Sequence, residues 1–178
     1  MPYTDRSHHI FVPFLGGADG RAAIRLALQL AENPEVTATI LHLLSSNTQS
    51  SSSVGEDGGE GDVERVTVTT GSKAVVAESS QTIESDSAFF ATMRNSLPAE
   101  LADRVVFDAA SVDSILDAAI ERAAPEIGQN PKNGGDIIIL GRGVVGDSST
   151  GCLGVAAERV LGSGLRASLL VVLAKGGE

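Results

Sequence analysis

Apolar residues recur along this chain in two periods, and five stretches carry the pattern of a strand. Residues 8–14 gather Ile10, Phe11, Val12 and Phe14, residues 36–44 gather Val36, Ala38, Ile40 and Leu41, and Val105, Val106 and Phe107 make a shorter run. Ile137–Leu140 is too uniformly apolar for a half-exposed strand, so it is the expected central strand of a parallel sheet covered on both faces. Residues 167–173 close the series. Pro13 lacks a ladder donor and belongs at a strand end or a bulge.

Between these runs the spacing becomes helical. From Arg21, Ala23, Ile24, Ala27, Leu28, Leu30 and Ala31 share a face until Asn33-Pro34 stops it. Residues 86–97 place Ala88, Phe89, Met93 and Leu97 together, with Asp86 or Ser87 as cap and Pro98 as stop. Ile115, Leu116, Ala119, Ile120 and Ala123 predict a helix capped by Ser111 or Asp113 and ended before Pro125. Leu153, Val155, Ala156, Val160 and Leu161 predict a last helix, stopped by Gly162 and Gly164. Residues 45–62, a serine run followed by a Gly/Glu/Asp run, have little to bury and predict a disordered insertion; 63–70 alternate as a short strand would.

The alternation of strand and helix argues an α/β fold: a five-stranded, mainly parallel, doubly wound sheet with helices on both faces, in one domain over residues 8–175 after a linker at 1–7. Composition agrees, with 42% hydrophobic residues in a 178-residue chain, 3% aromatic and no Trp. The formal net charge of -10 opposes a nucleic-acid surface. A lone cysteine, Cys152, excludes an intrachain disulfide and fits a reducing compartment. No stretch has the length of a membrane span, so this piece is expected to be soluble.

Candidate chemistry collects after Leu140. A loop rich in Gly, Ser and Thr runs from Gly141 to Gly151 into the last helix, the place where an open α/β sheet holds a ligand. Backbone N–H groups of Gly141, Arg142 and Gly143 and the hydroxyls of Ser148, Ser149 and Thr150 suit a phosphate. Arg142 suits a phosphate or carboxylate, or else a surface ion pair. Gly16 and Gly17 serve either a close ligand or a strand-to-helix turn, and Asp19 and Arg21 read as first-turn charges or a local ion pair. His8, His9 and His42 lack zinc-ligand spacing and read as surface or packing residues. With no catalytic set at the loop ends, the expectation is a protein that is not an enzyme and holds no metal.

The loop from Gly141, the helix with Ala157-Glu158-Arg159-Val160-Leu161 and the closing Leu169-Leu170-Val171-Val172 resemble the universal stress protein fold. Three stretches resemble something narrower: His8 to Arg21, Phe89-Phe90-Ala91-Thr92-Met93-Arg94, and Asp136 to Arg142. They are similar to the cytosolic C-terminal domain of fungal potassium/proton antiporters of the monovalent cation:proton antiporter-2 family. The resemblance implies a regulatory domain attached to a membrane antiporter, on the cytosolic face of an intracellular organelle.

It also implies an adenine nucleotide, AMP or ATP, with its base near Phe14, Leu15, Leu43 and Leu44. The family's glycine motif falls on Gly141, Val144, Gly154 and Val155, so two of its four identities are replaced, and Leu15 stands where the family usually has an aspartate. Homodimerisation through the apolar strand 167–173 is a further implication. The alternatives are a dimerisation or interaction module without ligand, and a free-standing ATP-binding universal stress protein.

Overall fold

The computed structural model describes residues 8–46, 72–129, 135–142 and 153–174, with the main chain alone for 72–80. The expected insertion at 45–62 lies outside these residues apart from its start, as do the linker, the short strand at 63–70 and Cys152.

Among the described residues five parallel strands form one sheet in the order β3-β2-β1-β4-β5. They are β1 (His8–Phe14), β2 (Val36–Ser45), β3 (Val105–Val112), β4 (Ile137–Gly141) and β5 (Ser168–Val172). The connecting helices are α1 (Gly17–Leu30), α2 (Ser72–Asn95), α3 (Ile115–Ala123) and α4 (Val155–Gly162). The middle of the sheet is β1, not β4 as the apolar run at 137–140 suggested. Both strands have a partner on each side, and burial on both faces makes their sequences look alike. Among the described residues, no helix is long and apolar enough to cross a membrane.

Alternation along the strands splits the core into two layers. Ile10, Val12, Phe14, Ala38 and Ile40 face α1 and α2, joined by Ile24, Ala27 and Phe90. Phe11, Leu41, Leu43, Ile138 and Leu140 face α3 and α4, joined by Ala119, Ala123 and Val160. Burying a large aliphatic or aromatic side chain of this kind is worth about 1.5–3 kcal/mol.

Several boundaries differ from the sequence expectation. Helix α1 begins at Gly17 and not at Arg21, because two left-handed glycines, Gly16 (φ 94°) and Gly17 (φ 78°), turn the chain at once. Helix α2 runs from Ser72 and is longer than the predicted 86–97. Strand β3 continues past Phe107 to Val112, where Ala109 to Val112 pair with His42 to Ser45 of β2. Ser111 is therefore a strand residue, and Ser114 precedes α3 with its hydroxyl 2.7 Å from the Asp117 carboxylate. Pro13 stays inside β1, one residue from its end. The β1–β4 ladder registers Ile10↔Ile137 and Phe11↔Ile138 and stops before the proline.

Candidate functional site

Strand order reverses between β1 and β4. From β1 the chain turns into α1 on one face, and from β4 it proceeds to α4 on the other. The carboxyl ends of these two strands are thus the place where such a sheet leaves a crevice. Two helix N-termini flank that crevice, and they are furnished differently.

The head of α1 is already filled. Asp86, reaching over from α2, accepts a hydrogen bond from Gly17 N–H at 2.8 Å and another from Arg21 Nε at 2.7 Å, while Arg21 Nη2 also donates to Ser85 Oγ. Asp86 is 4% exposed and Arg21 half-buried, so a buried carboxylate has its oxygens satisfied by a helix N-terminus and a guanidinium. A Cβ on Gly16 would stand 2.6 Å from Asp86 Oδ2. The close approach that Gly16 permits is to the chain's own carboxylate. Asp86 therefore caps α1 and does not start α2, which corrects the capping expectation. Its partner Arg21 makes the ion pair, while Asp19 accepts a hydrogen bond from Ala174 N–H at 2.7 Å.

The head of α4 differs. Gly154, in the left-handed region at φ 86°, is its N-cap and offers no side-chain hydrogen bond. A Cβ there would meet the carbonyl oxygen of Arg142 at 2.9 Å, so both ends of the loop from β4 to α4 lie side by side. Arg142 is exposed, its backbone N–H donating to Val172 at 2.8 Å, and it has no ion-pair partner among the described residues. Val155 opens α4 and is half-buried.

The structure divides the residues expected to hold a nucleotide. Phe14 is fully buried and Leu43 is 3% exposed, in the two opposite core layers, so neither offers a face to a base. Leu15 and Leu44 are half-buried, and Leu15 packs against the α3 and α4 layer. Gly141 does not face a ligand: a Cβ on it would stand 2.4 Å from Gly20 N and 2.6 Å from Asp19 C. Its missing side chain lets α1 press on the end of β4. Gly143, Ser148, Ser149 and Thr150 lie outside the described residues, as does Val144.

Sequence reasoning names Asp86 as a cap of its own helix and misses its contact with the head of α1. Asp86 shares a helix face with Phe90 and Met93, four and seven positions on, and an acidic residue on an apolar face is the signal that marks a buried partner.

The histidines behave as packing groups. His8 is exposed. His9 is buried, with Nδ1 2.7 Å from Thr37 Oγ1 and Nε2 3.1 Å from Glu126 Oε2. Burial pushes the Glu126 carboxyl up, but hydrogen bonds with His9 and Thr39 and the charges of His9 and Arg122 leave it below its ordinary value. His42 packs against both Phe14 and Phe90. Among the described residues no group of His, Cys, Asp and Glu could hold a metal ion.

No protein-family model matches the sequence, and neither does any curated protein. Solved structures with a similar arrangement include the universal stress protein UspA from Lactobacillus plantarum, with 14% identity, TM-score 0.48, and coverage of 96% of this chain and 99% of that one. A universal stress protein family member from Burkholderia pseudomallei gives 15%, 0.45, 97% and 100% for the same quantities. The hypothetical protein MJ0577 gives 14%, 0.49, 98% and 100%. It is the observed strand order, and not these superpositions, that establishes the five-stranded all-parallel α/β architecture.

Proposed function

We propose that this chain is a non-enzymatic regulatory domain on the cytosolic side of a cation/proton antiporter, binding an adenine nucleotide and dimerising. The observation that carries ligand binding is the head of α4, where the N-cap Gly154 has no side chain to bond the first-turn N–H groups, beside the end of β4 and the exposed Arg142. A phosphate there meets the positive end of a helix and a guanidinium. The base then lies against the half-buried Leu15 and Leu44, since Phe14 and Leu43 are closed off. The antiporter attachment rests on the three stretches of sequence resemblance, and potassium as the transported ion on the same ground. A ligand regulates the attached transporter only if it discriminates between two of its arrangements.

Calorimetric titration with AMP, ADP and ATP is expected to show saturable heat for at least one of them, weakened roughly tenfold in Arg142→Ala by the loss of a charge-assisted contact. Absence of heat with all three at millimolar concentration would remove the nucleotide. A second reading, a dimerisation module without ligand, would then stand. It is favoured by the Asp86 carboxylate, which already fills the head of α1.

A further inference from the structure

Among the described side chains of helix α2, Phe90 packs against a histidine of the sheet. His42 is 4% exposed, and its ring centroid lies 4.9 Å from those of both Phe14 and Phe90. Phe14 and Phe90 are nearly parallel, with an interplanar angle of 8°, and Phe107 of β3 meets Phe90 edge-on at 5.3 Å. The charged groups facing this cluster come from two helices. From α2 comes Asp86, one turn before Phe90, and from α1 comes Arg21, which holds the Asp86 carboxylate. Arg21 and Arg25 also lie over the Phe89 ring, at 5.5 and 5.2 Å. The sheet contributes rings: Phe14 from β1 and Phe107 from β3, while Asp108 of β3 is taken by Arg122 of α3.

We propose that His42 is a proton-dependent latch for helix α2: the neutral ring packs against Phe90 and keeps α2 docked, and the protonated ring favours an arrangement in which α2 has lifted. An imidazolium buried against the rings of Phe14 and Phe90 loses its hydration, and the Asp86 carboxylate is already committed to Gly17 N–H and Arg21. Burial accordingly pushes the His42 pKa below its ordinary value, although the Asp86 charge pulls it part of the way back.

The sign follows from that direction. A base whose pKa is lowered in the docked state adds stability above its released pKa of about 6.5, and this stability is lost as the pH falls below that value. Helix α2 is the element that yields. The alternative is to move Phe14, which lies in a strand paired on both sides, whereas a surface helix opens locally at lower cost.

Hydrogen–deuterium exchange of the whole chain tests this. Between about pH 7.5 and about pH 5.5, after correction for intrinsic exchange, peptides spanning residues 82–95 are expected to open up to about tenfold more often, the limit for a group that takes its proton only when released. Peptides of α3 and α4 are expected to show no such change. In His42→Phe, which keeps an aromatic ring and removes the proton site, the acceleration is expected to vanish. Should that variant not fold, His42→Gln takes its place with the same expectation. His9→Gln, altered at the far end of β1, is expected to keep the acceleration. Equal acceleration in α2, α3 and α4, no acceleration in α2, or acceleration that survives removal of His42 would each overturn the proposal.

Discussion

Asp86 and Gly141 are two positions where the presence or absence of a few atoms decides how α1 sits. The first brings a carboxylate to the helix head, and the second withholds a side chain so that Asp19 and Gly20 can touch the end of β4. Gly141→Val is therefore expected to cost about 3 kcal/mol or more, since the new Cβ overlaps backbone that has no rotamer to move. Urea melts measure this, and a loss under about 0.5 kcal/mol would show that α1 does not press on β4 as described. The same geometry disqualifies Gly141→Val as a probe of phosphate binding, because damage to the fold would mimic loss of the site. Sequence alone marks Gly141 as a glycine after a strand, but it does not say which neighbour needs the space. Likewise the Asp86–Gly17 contact joins residues 69 positions apart, beyond the reach of any local pattern.

At the level of elements, legibility followed burial. Strands β1, β2 and β4 are covered on both faces; β4 reads as a continuous apolar run and β1 nearly so, while β2 carries buried Thr37, Thr39 and His42 among its apolar residues. Strand β3 lies at an edge and its burial alternates, so Asp108, Ala109 and Ser111 hid its second half. Helix α2 was foreseen only around Phe89, Phe90 and Met93, where it touches the core. A polar network holds the opposite end of the sheet: His9 of β1, Thr37 of β2 and Glu126 after α3, with the Asp136 carboxylate accepting from His9 N–H and Gly128 N–H. Because the Glu126 pKa is lowered in the fold, its contribution is present above the unfolded value of about 4.3 and is lost as the pH falls through the folded one. Glu126→Gln is thus expected to be less stable than the parent near neutral pH, with the gap narrowing in acid. Thermal melts across that range check the trend, and a gap that does not change with pH would refute it.

For the whole molecule, the exposed face of β5 bears on assembly. This is an edge strand in which Leu169 and Val171 turn to the α3 and α4 layer, leaving Leu170 40% exposed and Leu173, just beyond it, 63% exposed. An uncharged edge of this kind invites pairing, and a symmetric dimer through β5 is the proposed outcome. Leu170→Lys is expected to halve the mass seen by light scattering, whereas a charge at Val171 would enter the core and report on folding. A parent chain that scatters as a monomer at high concentration would end the proposal. Strand order has a further consequence, in time. His9 and the Asp136 carboxylate that receives its N–H are 127 residues apart, so at about 5–20 residues per second the ribosome delivers β4 roughly 6–25 s after β1. Through that interval β1, β2 and β3 can build most of one core layer with α1 and α2, while Phe11, Leu41 and Leu43 on the other side meet α3 only late and still lack α4. The nascent domain is then a sheet with one greasy side, the kind of surface a cell must shield until synthesis catches up.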